Sequence, residues 1–294
     1  MRIFAEQFTD ISLGQTQFFN KLAVIPIHAR LSFQRHDIRT FDELSALDLA
    51  EASEISEDGS VGIIRVLNKS ESYLAIFDND IIVGAKQNRV AKSTVIIPPF
   101  EAVNLPVYCV ERGRWHYENS QKFKRSEHSL SPQIREKKIM MMKSGNTRNI
   151  QHEVWNDVDE LSYKLNAFSS TSNFTDVVGA QEYKSEAQLR DFVKNTKSTG
   201  YVIATGKKLF CELFFNEQAC RSQSLKSIKS WLADVTEEKS YPLKSQMQIK
   251  EDLINSTWHP VNSIGVETAF EASGSRQGQS ALLQDNFIHG LLYL

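Results

Sequence analysis

The first candidate site residues form a short polar segment that follows a predicted strand. The apolar run at 81–83 is typical of a buried strand, and the chain then continues as KQNR, residues Lys86 to Arg89. Lys86 and Arg89 can neutralise an anion, and the planar guanidinium of Arg89 suits phosphate or carboxylate. Gln87 and Asn88 supply donors and acceptors for a base edge, an amide or a ribose. The segment therefore predicts a ligand-binding site, with a solvated loop as the structural alternative.

A second group of candidates lies between Cys109 and Trp115, at the end of another predicted strand. Cys109 would be a nucleophile if the neighbouring arginines lowered its pKa, whereas a buried cysteine is usually an inert apolar side chain. Glu111 could pair with an arginine, orient a ligand hydroxyl or act as a general base. Arg114 adds a phosphate-binding cation, and Trp115 adds a flat surface for stacking a nucleobase. Cys109 and Glu111 are therefore the predicted catalytic residues.

Two further residues are expected to complete the site from predicted helices. Arg135 and Gln151 lie on consecutive helices after the second group, and both are expected to reach the same cleft. The seven histidines and three cysteines show neither H-E-x-x-H nor C-x-x-C spacing, so no metal site and no cofactor are predicted. An odd number of widely spaced cysteines also argues against a disulfide framework and favours a cytoplasmic location.

The charge pattern favours a small anionic partner. The chain of 294 residues has a net charge of −2, yet the stretch from Arg112 to Arg148 contains ten basic and three acidic residues, a net charge of +7. A local positive field in a slightly acidic protein suits a small anionic or nucleotide-like ligand. The stretch lacks the interleaved aromatic residues of a stacking platform, which disfavours nucleic acid. No apolar run approaches the roughly 20 residues needed to cross a bilayer, so no membrane partner is expected.

The elements that must position these residues alternate between strands and helices. A stripe of apolar residues at helical spacing, from Val154 to Phe168, predicts a helix over 151–168. The other predicted helices cover 131–145, 185–194 and 216–235, and the predicted strands cover 22–27, 61–66, 73–77, 81–83, 94–97, 105–110, a hairpin at 201–215 that turns at 205–207, 265–270, 281–284 and 287–292. The expected fold is α+β, with a mixed, mostly antiparallel sheet and several packed helices in a single large domain of residues 1–294.

Five segments together resemble a family of uncharacterised prokaryotic domains, the ADP-ribosylglycohydrolase- and rhodanese-phosphatase-superfamily-associated protein (ARPP) domain. They are GAKQNR from Gly84, LPVYCVERGRW from Leu105, VW at 154–155, GYVIATGKKLFCELFF from Gly200 and ALLQDNFIHGLLYL from Ala281. The resemblance covers nearly the whole chain and implies one domain. It also implies a role in nucleotide or ADP-ribose metabolism, and His289 matches a histidine of the family.

Two functions fit these residues. The first is an enzyme of nucleotide or NAD-linked ADP-ribose metabolism that acts on a small phosphorylated nucleoside. In that enzyme Lys86, Arg89 and Arg114 would hold phosphates, Trp115 would stack on the base, and Glu111 would be the acid–base group. The alternative is a non-catalytic binding or sensor domain for the same class of anionic ligand. A pocket with a perturbed carboxylate would favour the enzyme, and a pocket of cations and amides would favour the binding domain.

Overall fold

Much of this chain forms β-strands, in segments rich in Ile, Val and Phe. Helices form where apolar residues recur at helical spacing. The computed structural model describes residues 1–20, 22–32, 35–117, 122–181, 186–205, 208–235 and 244–294. In these ranges the strands are β1 (Phe8–Leu13), β2 (Gln17–Phe19), β3 (Leu22–Leu31), β4 (Ile38–Thr40), β5 (Ala50–Ser53), β6 (Ile63–Asn68), β7 (Tyr73–Ile76), β8 (Asp80–Gly84), β9 (Arg89–Ala91), β10 (Val95–Ile97), β11 (Ala102–Cys109), β12 (Lys122–Ser129), β13 (Gly200–Thr205), β14 (Lys208–Phe214), β15 (Trp258–Val261), β16 (Thr268–Ala272), β17 (Gln277–Leu283) and β18 (Asn286–Tyr293). The helices are α1 (Ile3–Gln7), α2 (Phe41–Ala46), α3 (Pro132–Lys143), α4 (Ile150–Leu165), α5 (Phe174–Gly179), α6 (Glu186–Asn195), α7 (Glu217–Asp234) and α8 (Gln246–Ile254).

The first of two compact units comprises Met1–Arg35, Tyr183–Asn262 and Glu267–Leu294. Its antiparallel sheet has the order β1-β3-β13-β14-β18-β17-β16-β15, and β2 pairs with β3. Helix α7 packs against β13 and β14, while α1 and α8 pack against each other and against β1. The central strands β13, β14 and β18 are buried along nearly their whole length, which explains their continuous apolar sequences.

The second unit comprises His36–Glu182 and Ser263–Val266. Six strands close into a barrel in the order β11-β6-β5-β12-β8-β9, and the pairing of β11 with β9 completes it. A smaller sheet, β10-β7-β4, contains the parallel pair β4 and β7. Aliphatic side chains from these strands, among them Ile64, Val66 and Val107, form one core. Helix α4 packs against β11, the strand that ends at Cys109.

The predicted class is confirmed, since the described residues form an α+β fold with mostly antiparallel sheets. The four predicted helices are present as α3, α4, α6 and α7, and the Asn216 side chain caps α7 by accepting a 2.7 Å hydrogen bond from the Ala219 amide. The end of α4 was predicted wrongly. Asn166 adopts a left-handed φ of 49°, which ends the helix at Leu165 and leaves Phe168 88% exposed.

The sequence pattern missed four short helices and seven of the described strands, which are β1, β2, β4, β5, β9, β12 and β15. Helices α1, α2, α5 and α8 have five to nine residues, too few to show a clear apolar stripe. The predicted hairpin is present as β13 and β14, and residues 206 and 207 of its turn lie outside the described residues. Within the described ranges no helix combines the length and apolar character needed to cross a lipid bilayer.

Candidate functional site

The two candidate segments are neighbours because β9 pairs with both β8 and β11. Arg89, the first residue of β9, lies opposite Ile82 on one side and Cys109 on the other. The turn that joins β8 to β9 contains Gly84 and Ala85, whose φ values are +113° and +41°. Glycine suits the first position, since a Cβ there would lie 3.2 Å from the Lys122 carbonyl oxygen. The barrel thus brings the KQNR segment and the residues after β11 to the same end of these strands.

Six of the predicted site residues are at most 5% exposed and bond mainly to one another and to nearby main chain. We call this set the inner network. Its members are Gln87, Asn88, Arg89, Cys109, Glu111 and Arg114.

A bidentate ion pair between Glu111 and Arg114 lies at the centre of the inner network. The Arg114 Nε and Nη2 atoms donate to the two Glu111 oxygens at 2.8 and 2.7 Å. Glu111 accepts two further hydrogen bonds, from the Thr171 hydroxyl at 2.8 Å and the Asn88 amide at 3.1 Å. Arg114 also donates to the main-chain oxygens of Ala85 and His116, at 2.6 and 3.1 Å. The pair therefore fixes the β8–β9 turn to the segment after β11.

The Asn88 side chain also stabilises the β8–β9 turn. Its Oδ1 accepts a 2.8 Å hydrogen bond from the Gly84 amide, which closes the turn. Its Nδ2 donates to Asn173 Oδ1 at 3.0 Å and to the Thr175 hydroxyl at 3.2 Å. Asn173 is the N-cap residue of α5, where its Oδ1 also accepts from the Thr175 amide. Asn88 thus links the turn to the N-terminus of α5, and its side-chain amide has a structural role there.

The third part of the inner network is a chain of side chains from Cys109 to Arg89. The Cys109 thiol donates to Gln87 Oε1 at 2.9 Å, and Arg89 Nη1 donates to the same oxygen at 3.1 Å. Burial raises the pKa of Cys109 to about 12, although the Arg89 charge opposes the shift. Burial also lowers the pKa of Arg89. A neutral thiol results at neutral pH, whereas a nucleophile needs a thiolate.

Glu54 is a carboxylate that the sequence analysis missed. Its Oε1 lies 3.6 Å from Arg89 Nη2 and accepts a 3.4 Å hydrogen bond from the Lys86 amide. Within the described residues, Glu54 Oε2 and Arg89 Nε are buried atoms without a hydrogen-bond partner. Unsatisfied buried polar atoms are uncommon in native proteins and mark positions with a possible functional role. No sequence signal singled out Glu54, because it lies in an acidic stretch with several other carboxylates.

Exposed Trp115 and the half-buried Lys86 and Tyr117 form a group that we call the aromatic surface. Trp115 is 42% exposed, and Lys86 Nζ lies 5.6 Å from the centre of its ring and 5.3 Å from that of Tyr117. These distances are within the range of cation–π attraction. Burial raises the pKa of Tyr117, and the charges of Glu54 and Glu57 act in the same direction.

Arg135 and Gln151 have different surroundings. The Gln151 side chain accepts from the Cys109 amide at 2.8 Å and donates to the Cys109 oxygen at 3.0 Å, so it joins the end of β11 to α4. Arg135 forms a bidentate ion pair with Asp78, at 2.9 and 2.6 Å. Lys138 Nζ donates to the main-chain oxygen of Asp78 at 2.5 Å, and burial lowers the pKa of Lys138 to about 8. Gln151 therefore meets the inner network at Cys109, whereas Arg135 contributes to a separate buried charge cluster with Asp78.

His289 belongs to the first unit, where it is 1% exposed. Its Nε2 lies 3.0 Å from Glu212 Oε1, and the Tyr201 hydroxyl donates to the other oxygen of Glu212. A carboxylate within the apolar run of β14 is the sequence signal that could have revealed this cluster.

The fold and the inner network define an α+β protein whose most distinctive sequence motifs form a buried polar scaffold. The chain belongs to the ARPP-1 family, the ARG and Rhodanese-Phosphatase-superfamily-associated Protein domain, whose model matches residues 10–293. The match extends over both compact units, and one domain over residues 1–294 stays a prediction. Comparison with curated proteins and with solved structures found no match.

Proposed function

We propose that this protein binds a small phosphorylated nucleoside of the ADP-ribose type at the aromatic surface and does not transform it. The observation that carries the proposal is the half-exposed Trp115 ring with the Lys86 ammonium 5.6 Å from its centre. A nucleobase can stack on the exposed part of the indole while the ammonium attracts a phosphate. The family's association with ADP-ribosylglycohydrolases agrees with this class of ligand. A cytoplasmic location is part of the proposal.

Binding without catalysis follows from the environment of the two predicted catalytic residues. Glu111 is 2% exposed and accepts four hydrogen bonds, two of them from the Arg114 guanidinium. Cys109 is fully buried, and its pKa of about 12 keeps the thiol protonated at neutral pH. A general base or nucleophile must reach the ligand within hydrogen-bonding distance. Each of these groups would first have to break its bonds within the inner network.

An enzyme remains the second candidate function, and Glu54 is the observation that favours it. Its Oε2 is buried without a hydrogen-bond partner among the described residues, and its Oε1 accepts from the Lys86 amide. A carboxylate in that state, next to a ligand surface, could accept a proton from a substrate hydroxyl or a water molecule. In this version Glu54, and neither Glu111 nor Cys109, would be the acid–base group.

The binding proposal can be tested by calorimetric titration with ADP-ribose. Trp115→Ala should weaken binding by about 1–3 kcal/mol through the loss of stacking. Lys86→Ala should weaken it in a way that disappears at high salt, because screening weakens a solvent-exposed charge. Tyr163→Ala and Lys194→Ala are matched controls, since Tyr163 is 90% exposed and Lys194 is exposed. Equal affinity of Trp115→Ala and the wild type for ADP-ribose would contradict the proposal, as would a wild type that does not bind.

The same samples separate the two candidate functions. After prolonged incubation with ADP-ribose, chromatography should recover the ligand unchanged if the protein only binds. Product formation that is lost in Glu54→Gln, with ADP-ribose affinity retained, would replace the binding proposal with the enzyme. Glu251→Gln is a suitable control for the substitution, because Glu251 is exposed and lies in the other unit.

A further inference from the structure

A cleft of about 600 Å³ in the second unit has no residue in common with the inner network or the aromatic surface. We call it the basic cleft and define it by its charged lining residues, which are Asp48, Glu51, Lys69, Lys122, Lys124 and Arg125. Four cations and two carboxylates give this lining a net positive charge. Its volume is within the range of sites that bind small molecules.

Glu51 binds two of the lysines that line the basic cleft. Its Oε2 accepts hydrogen bonds from both Lys69 and Lys122, each at 2.7 Å. These two lysines hold the pKa of Glu51 below its usual value. One carboxylate therefore draws two ammonium groups together but neutralises only one of the two charges. Glu51 thus holds two ammonium groups at the border of the cleft.

The basic cleft also has two cations, Lys124 and Arg125, that the fold leaves exposed. Within the parts of the chain that the structure describes, Lys124 and Arg125 are exposed and form no ion pair or side-chain hydrogen bond. Consecutive residues of a regular strand point to opposite faces. Both residues nevertheless line the cleft, where the pairing of β12 with β5 has ended at Phe123. Beyond Phe123 the side of β12 that faces β5 has no strand partner among the described residues, so two adjacent cations can border one cleft.

We infer that the basic cleft binds the diphosphate group of a nucleotide or of inorganic pyrophosphate. Arg125 offers two parallel N–H groups to one phosphate, and Lys124 offers a point charge to the next. The lysine pair on Glu51 adds two ammonium groups to the lining of the same cleft. Among the described residues of the lining, the one aromatic side chain is Phe123, which is 5% exposed, so the described lining offers no platform for stacking a series of bases. This favours a small polyphosphate over a nucleic acid strand.

The experiment is calorimetric titration of the full chain with inorganic pyrophosphate at low salt. Lys124→Ala and Arg125→Ala should each weaken pyrophosphate binding about ten-fold, because each removes a charge-assisted hydrogen bond. Glu51→Gln should strengthen it several-fold, because the lysine pair then keeps both positive charges. Arg148→Ala is the matched control, since Arg148 is an exposed arginine of the same basic stretch and does not line the cleft. Its pyrophosphate affinity should equal that of the wild type.

Two results would overturn the inference. One is a wild type that does not bind pyrophosphate at millimolar concentration. The other is unchanged affinity in both Lys124→Ala and Arg125→Ala, once circular dichroism shows that they are folded. Titration with ADP and with adenosine then distinguishes the sources of the diphosphate, since ADP should compete with pyrophosphate and adenosine should not. Trp115→Ala should keep its pyrophosphate affinity, so failure of the basic cleft and failure of the aromatic surface would be seen separately.

Discussion

The inner network and the basic cleft are both polar regions of the barrel unit, and they use charge in opposite ways. In the inner network the charges are buried, and Arg114 alone donates to Glu111, Ala85 and His116. In the basic cleft Lys124 and Arg125 are exposed and have no partner among the described side chains. A buried charge must be bonded within the protein, whereas an exposed charge remains available to a ligand. Most residues of the two motif segments therefore belong to the scaffold, whereas the exposed cations of the basic cleft lie on β12, within the basic stretch from Arg112 to Arg148.

The two regions should also respond differently to the loss of one cation. Arg114→Met leaves the Glu111 carboxylate buried without its main partner, and we expect a loss of about 3–5 kcal/mol in the free energy of unfolding. Lys124→Met removes an exposed cation, and we expect a change within about 0.5 kcal/mol. Urea unfolding followed by circular dichroism measures both values.

A double substitution sharpens this test. Arg114→Met combined with Glu111→Gln removes the uncompensated charge, so it should recover part of the stability that Arg114→Met loses. If Arg114→Met were as stable as Lys124→Met, the ion pair would not hold the β8–β9 turn. The description of the inner network as a scaffold would then be wrong.

The fold was predictable where long periodic segments occur. The stripe from Val154 to Leu165 and the capping residue Asn216 identified α4 and α7, and the continuous apolar run of β18 identified a buried strand. Closure of six short strands into a barrel was not predictable. It depends on pairings between distant segments, such as β11 with β9 and β12 with β5, that local periodicity does not encode.

The sequence predicted which segments of the chain lie together at the candidate site. It did not predict how the side chains of those segments are buried and bonded. The KQNR segment and the residues after Cys109 do lie together, because β9 pairs with β11. Residue types alone could not show that Asn88 and Gln87 bond inward, since burial is decided by the barrel around them. The partners Thr171 and Asn173 come from a loop some 60 to 85 residues further along the chain. Such long-range partners have no signature near the motif.

Lys138 extends the comparison to a second set of buried charges. Burial lowers its pKa to about 8 from the ordinary value of 10.5, although Asp78 opposes the shift. Between these two values the unfolded chain binds more protons than the folded chain, so this group makes stability rise with pH. The slope is at most about 1.4 kcal/mol per pH unit. We expect Lys138→Met to lack this rise, and urea unfolding of both proteins at intervals from about pH 7 to 10 measures it.

The difference between the two unfolding curves isolates Lys138 from other groups that titrate at high pH. Burial raises the pKa of both Tyr108 and Cys109, which lowers stability as pH rises above the ordinary values of those groups. These contributions are common to the wild type and the variant, so they cancel. Parallel curves over the whole range would mean that Lys138 is not charged or discharged within it, and that its burial does not affect its titration.

Cys109→Ala should reduce stability much less than Arg114→Met does, and Cys109 gives the clearest test of reactivity. In Cys109→Ala the thiol donor is lost, yet Gln87 Oε1 keeps its hydrogen bond from Arg89 at 3.1 Å. We therefore expect a loss of only about 1 kcal/mol in the free energy of unfolding. In the wild type, iodoacetamide at neutral pH should leave Cys109 unmodified, because the thiol is fully buried and its pKa is about 12.

Mass spectrometry of peptides after alkylation measures that reactivity, and the other two cysteines of the chain serve as controls. Cys211 and Cys220 are also buried, and burial raises the pKa of each, so all three thiols should be protected when folded and labelled in urea. Burial raises the pKa of Cys220 to about 11 and that of Cys109 to about 12, so Cys220 should react before Cys109 as the pH is raised. Rapid labelling of Cys109 alone at neutral pH would show that it is a thiolate in the folded state. Cys109 would then be a reactive residue. The description of the inner network as a set of buried, internally bonded residues would not hold for Cys109.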